Sequence, residues 1–241
     1  MPTDLRLSKT NAAKASLHVS ELPAAALLGM PEPRWAAFGA AAFLVSVPVF
    51  FQAPLVRLWP SLSLSLSVLL LFAGWQMIRQ PRLQLWGDLA IGFTWTWLAG
   101  SLYWGWFRWE PLIHLPMEAV GLPVVAGLLF LNRAKIGSYF YLGSLLGTAL
   151  TDLYFYWVDL IPYWRQLMTV EPTQVGSVLQ AAYLQLQNPE AILKGGILLS
   201  LLVILGTLPL TATKAHWWAF AGAVLSTILV DSLFLLSAVL A

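Results

Sequence analysis

Cysteine is absent from the 241 residues, which excludes disulfides, thiolate zinc sites, iron–sulfur clusters and thioether-linked haem. Charge is scarce: Asp, Glu, Lys and Arg make up 10% of the chain, against roughly 25% in a soluble domain. Such a chain cannot cover itself with a solvated surface. Histidine is rare too. His18, His114 and His216 stand far apart with no pair at helical ligand spacing, so neither a metal site nor a cofactor is expected. Also missing are the paired Asp-rich motifs of prenyl transfer, a Gly-x-Ser-x-Gly elbow, His-Glu-x-x-His and a phosphate loop. The chain does not read as an enzyme. A net charge of +2 implies no nucleic-acid partner, because the basic residues stand almost wholly at the ends of apolar runs, where they act as topology signals.

What the chain has is apolar length. It is 59% hydrophobic, and several runs reach the roughly 20 residues that cross a bilayer. The expected fold is an all-α polytopic membrane protein of about seven transmembrane helices, over residues 35–56, 61–78, 87–107, 111–131, 137–158, 191–210 and 216–240. Residues 1–33 hold Arg6, Lys9 and Lys14 but no apolar core of signal-peptide length. They read as a cytoplasmic, mostly disordered tail ahead of a transmembrane domain over 34–241. Arg34, Arg79, Arg82, Arg133, Lys135 and Lys214 share the tail's side, whereas only Arg57, Arg108, Arg165 and Lys194 fall opposite. That bias places the N-terminus in the cytoplasm and, with an odd span count, the C-terminus on the far side.

The long connection over 159–190 carries an amphipathic pattern. Val175, Val178, Leu179, Ala182 and Leu186 form one stripe, with Pro172 and Thr173 as a start and Asn188-Pro189 as a stop. It reads as a helix on the far membrane surface or a lid over the bundle. Pro48, Pro54, Pro116 and Pro123 imply kinks. Ala36/Ala40 and Ala37/Ala41 give the first span a small-xxx-small face for close contact, inside the bundle or with another subunit. Trp95, Trp97, Trp104, Trp106 and Trp109 either line a pocket for an aromatic or cationic molecule or face lipid in an aromatic belt. His114 at a span mouth reads as an interfacial hydrogen-bonder, and His216 with Trp217 and Trp218 as an interface anchor.

Two acids stand inside the apolar runs. Asp152 and Asp231 each follow a Thr by four residues (Thr148, Thr227) and a Gly by nine (Gly143, Gly222), and precede a Phe by three (Phe155, Phe234). The offset is 79 residues, and ten of 29 positions from Gly127 to Phe155 match their counterparts, Lys135 and Lys214 among them. An eroded third copy without the acid falls at Thr96, Leu98, Gly100 and Tyr103. Spans 4–5 and 6–7 therefore read as a parallel repeat of helical hairpins, an arrangement that places ligand sites at the repeat interface. At the rise of an α-helix, Asp152 lies about 9 Å, Asp231 about 13 Å and Glu118 about 10 Å below the far-side helix ends. A carboxylate at such depth costs several kcal/mol unless it faces a partner, a cavity or the bundle interior. Asp152, Asp231 and Glu118, with Thr148 and Thr227 assisting, are the expected ligand or proton site. Lys194 and Arg108 are positioned to snorkel inward and partner one acid each. The plainer alternative is that each Asp glues helices through Ser, Thr and backbone contacts.

Met117-Glu118-Ala119-Val120-Gly121-Leu122-Pro123, with the run from Gly143 through Thr148, Asp152 and Tyr154-Phe155-Tyr156-Trp157 to Pro162-Tyr163-Trp164, resembles an uncharacterised integral-membrane family of cyanobacteria. That resemblance covers most of the chain beyond the tail and implies the inner (plasma) or thylakoid membrane, without an activity. A looser likeness is to the substrate-binding membrane subunits of energy-coupling-factor transporters. It is carried by residues 122–129, by Gly143 through Asp152, by Lys194-Gly195-Gly196 and by Ala36/Ala40, and it implies a membrane-protein partner. The functional expectation is a small-solute or ion transporter, or its substrate-binding subunit, that meets membrane lipid and a small solute, cation or proton. The alternative is a non-catalytic assembly or scaffold factor of the photosynthetic membrane, interacting through the Trp-rich third span and the 159–190 connection.

Overall fold

The computed structural model describes residues 33–240, so the tail expected over 1–33 lies, but for Pro33, outside the described residues. Among these, every regular element is helical. Five segments are long and apolar enough to cross a membrane: Pro33–Leu58, Pro60–Ile78, Pro111–Phe130, Pro189–Thr211 and Ala215–Leu240. The remaining two expected spans form α4 (Gln84–Leu102), continued by a π turn (Tyr103–Phe107), and α7 (Lys135–Trp157). Both are long, but they carry more polar and charged residues, such as Asp88, Thr94 and Ser101 on one and Lys135, Ser138 and Asp152 on the other. They are also interior helices, in which Thr94, Ser101 and Ser138 are buried.

Proline sets the punctuation. It occupies the first or second position of α2 (Pro48–Leu58), α3 (Pro60–Ile78), α6 (Leu122–Phe130), α8 (Ile161–Leu167) and α10 (Pro189–Thr207), where its missing N–H is no loss. α1 (Pro33–Ser46) breaks from α2 at Val47, just before Pro48. Pro123 has a larger effect. It cannot donate to the Ala119 carbonyl, and the Leu122 N–H takes that acceptor instead, as a 3₁₀ turn over Ala119–Gly121. The Pro111–Phe130 segment is thereby split into α5 (His114–Glu118) and α6, and the Glu118 carbonyl accepts from the Tyr141 hydroxyl at 2.7 Å. α7 ends in a Schellman turn, with the Leu160 N–H on the Phe155 carbonyl at 2.9 Å and Asp159 left-handed at φ 58°.

Small residues decide how the helices meet. α11 (Ala215–Leu240) lies along both α1 and α7. Gly222 sits against the Phe38 carbonyl and Ala41, and Trp35 packs edge-on to Trp218 at 4.6 Å, so α1 and α11 run parallel. On α7, Gly143 meets Phe220 and Ala223, Gly147 meets Thr227, and Thr151 meets Asp231. α7 and α11 therefore also run parallel. Ala37, Ala41, Leu89, Phe140, Ala219 and Ala223 form the central core. Without a hydrophobic driving force between helices in lipid, such close backbone approach is what holds them together. The Ala37/Ala41 face of α1 is thus used inside the bundle. α9 (Val175–Leu186) packs on α8 and the far end of α11, and Gln185 donates to the Val158 carbonyl at 3.1 Å.

Candidate functional site

The site is built where α4 ends, α5 begins and α7 passes. The π turn at Tyr103–Phe107 offsets the end of α4, a feature frequent at functional positions. It sets the buried Tyr103 ring against the His114 imidazole, centroids 4.4 Å apart. His114 and Glu118 are one turn apart on α5, hence on one face. The imidazole stands between two carboxylates. Its Nδ1 lies 2.9 and 3.2 Å from the two Asp152 oxygens, and its Nε2 lies 3.8 Å from Glu118 Oε1. The three side chains are mostly covered, at 22% exposure for His114, 13% for Asp152 and 12% for Glu118. An ionised carboxylate only accepts, so against ionised Asp152 it is the Nδ1 hydrogen that is shared.

The third acid joins from α11. Thr151 Oγ1 donates to Asp231 Oδ2 at 2.7 Å. Thr151 and Asp152 are adjacent on α7, so one helix turn hands one acid to His114 and holds the other through a hydroxyl. The expected assisting residues lie differently. Thr227 donates to the Val224 carbonyl of its own helix at 2.7 Å and packs its methyl on Gly147. The Thr148 hydroxyl makes no hydrogen bond among the described residues. The face of α7 that meets α11 carries Gly143, Gly147 and Thr151, each four residues after the last, and Thr148 lies off it. Those small residues at i, i+4 and i+8 were the available signal for Thr151.

The cations expected to snorkel inward are engaged elsewhere or supply only a carbonyl. Lys194 donates to the Trp157 carbonyl and pairs with Glu190, both within 2.8 Å. The Arg108 backbone carbonyl accepts from the Trp164 indole at 2.8 Å. The Trp-rich segment divides: Trp97 is buried and donates to the Ser63 carbonyl at 2.9 Å, while Trp106 and Trp109 are exposed. Glu118, four residues on, is a partner of His114 visible in the sequence; Asp152 is not. The relation of His114 to Asp152, 38 residues away, exists only once α5 packs on α7.

Among the described residues, no three His, Asp or Glu side chains converge as a metal site. The acids lie on opposite sides of the imidazole, so the cluster is a line rather than a cage. No curated protein matches the chain, and no solved structure does. A family model described as a protein of unknown function, DUF3120, matches residues 41–239, and the chain belongs to that family.

Proposed function

We propose that the chain is a small-solute or ion transporter whose ligand or proton site comprises Asp152, Asp231 and Glu118, with His114 and Thr151 as their partners. The observation that carries this reading is the His114 imidazole held between Asp152 and Glu118 among apolar helices. Intramembrane ionisable groups are costly and mark ion or substrate paths. A purely structural glue would need one donor per acid, whereas this arrangement spends two carboxylates on one ring. The proposal takes all seven segments as crossings, the two hairpins as a parallel repeat, and the N-terminus as cytoplasmic, in the plasma or thylakoid membrane of a cyanobacterium.

Reconstitution in proteoliposomes tests it. The purified protein is first analysed by native mass spectrometry for bound solutes, and uptake of those solutes or of protons is then measured. The double substitution Asp152→Asn with Asp231→Asn should reduce uptake to that of empty vesicles while the protein still inserts. Unchanged uptake in that variant would refute the proposal. Stable co-purification with a photosynthetic complex, with no bound solute and no flux, would instead favour the scaffold role.

A further inference from the structure

We infer that the ion handled at this site is the proton, carried along the line Glu118–His114–Asp152 with the imidazole as intermediate carrier; this rests on the transport reading above. The competing class is a metal cation. Hard cations such as Ca²⁺ need about six to eight oxygens converging on one point. Here the imidazole separates the two nearest carboxylates, Thr151 donates to Asp231, and the Glu118 carbonyl is taken by Tyr141. Bringing the acids together round a cation would require His114 to leave its place between them.

A proton needs no cage. It needs a group that binds at one atom and releases from another, and imidazole does this through its two nitrogens. A proton delivered from Glu118 to Nε2 forms the imidazolium, and Glu118 is left ionised. The Nδ1 proton then passes to Asp152 across the existing 2.9 Å contact. His114 returns to neutral with its hydrogen now on Nε2, and one proton has moved from Glu118 to Asp152. The 3.8 Å step between Nε2 and Glu118 is closed by a rotamer change of Glu118, one turn away on the same helix. The Tyr103 ring at 4.4 Å offers its π face to the cationic intermediate.

The titratable groups facing His114 are Tyr103 from the π turn, Glu118 from its own helix and Asp152 from α7. One layer out are Tyr141 and Tyr156 on α7 and Asp231 on α11. Glu110 precedes α5 and is tied to Arg165.

The test is a pH titration of ¹⁵N-histidine-labelled protein in lipid nanodiscs, followed by NMR, with the His114 signals assigned by their loss in His114→Gln. Asp152→Asn and Glu118→Gln should each lower the His114 midpoint by about one pH unit or more, the range for losing an adjacent opposite charge. Sodium or calcium chloride, compared with choline chloride at equal ionic strength, should leave the wild-type midpoint in place. A midpoint displaced by either metal overturns the inference, and so does a midpoint unmoved in either folded variant. The metal arm uses the unmodified protein and decides the matter even where a substitution prevents folding. Wild-type protein that shows the expected titration yet moves neither protons nor solute in vesicles would overturn transport and leave the proton line standing. Uptake lost in the Asp152→Asn, Asp231→Asn protein together with a sodium-displaced midpoint would do the reverse.

Discussion

Asp88 illustrates how a single carboxylate positions the site from a distance. α7 begins after Ala134, a residue held left-handed at φ 46° with no side chain able to cap. Asp88 of α4 takes over that task, accepting from the Ile136 N–H at 3.0 Å and the Gly137 N–H at 2.9 Å. A β-carbon at Gly137 would strike the Asp88 carbonyl, so only glycine lets the carboxylate approach. Asp88→Ala leaves two helix-start donors without their acceptor, at a cost of about 2–3 kcal/mol for charge-assisted bonds. Thermal unfolding in detergent should show that loss as a lowered midpoint, and an unchanged midpoint would remove the capping role. Glu110, outside the membrane segments, answers to pH. Arg165 bonds both its oxygens, at 2.8 and 3.0 Å, and the Leu112 N–H adds a third contact. These hold its carboxyl below the usual value, the Arg165 hydrogen bond most of all. With the folded value depressed, the tie is fully present above the ordinary carboxylate pKa and is lost as pH falls through the folded one. Protection of the α8 amides, taken relative to their intrinsic exchange at each pH, should therefore fall on acidification in the wild-type protein, and Arg165→Gln should show that reduced protection already at neutral pH.

At the scale of elements, the contacts between α7 and α11 distinguish glycines that look alike in sequence. A β-carbon at Gly147 would run into the Thr227 side chain, whereas one at Gly127 or Gly196 meets nothing within 4 Å. Gly147→Ala should destabilise by about 1–3 kcal/mol, the cost of overpacking a tight interface. Gly127→Ala and Gly196→Ala should be neutral or slightly stabilising, since alanine is the better helix former. Equal midpoints for all three would show that the α7–α11 approach is looser than described. These contacts also show what was legible in the chain. The expected span at 61–78 and the amphipathic helix at Val175–Leu186 follow from apolar length and periodicity, which are local properties, and they correspond to α3 and α9. The matched settings of Asp152 and Asp231 point to neighbouring helices, and the two helices do lie parallel, with Thr151 bonded to Asp231, 80 positions on. The choice of Thr151 over Thr148 depends on which face of α7 meets α11, and that rotation is set by packing. The meeting of His114 with Asp152 and the π turn were not legible, because the first joins residues 38 apart through packing and the break in α4 has no proline to announce it.

For the molecule as a whole, the number of crossings decides which face of the membrane each loop occupies. Odd-numbered segments lie parallel: Asp88 and Gly92 of α4 meet the start of α7, and α7 runs beside α11 in the same direction. Seven crossings satisfy that parallel order with every connection short, apart from 159–190. If only the five most apolar segments crossed, α4 and α7 would return without spanning. The loop at Trp109 would then sit on the near side and the loop at Arg133 on the far side. Seven crossings reverse both, putting Trp109 outside and Arg133 in the cytoplasm. The absence of cysteine makes the distinction direct, since a single introduced thiol is the only reactive one. Trp109→Cys and Arg133→Cys, both at exposed positions, are expressed separately in intact cells and treated with a membrane-impermeant maleimide. Trp109→Cys should label without lysis, and Arg133→Cys only after it. Thr169→Cys, in the 159–190 connection, labels from outside under either count and serves as the reference. The opposite pattern at Trp109 and Arg133 would reduce the crossings to five. It would also remove Asp152 from the bilayer interior, and with it the reason to regard its pairing with His114 as an intramembrane site.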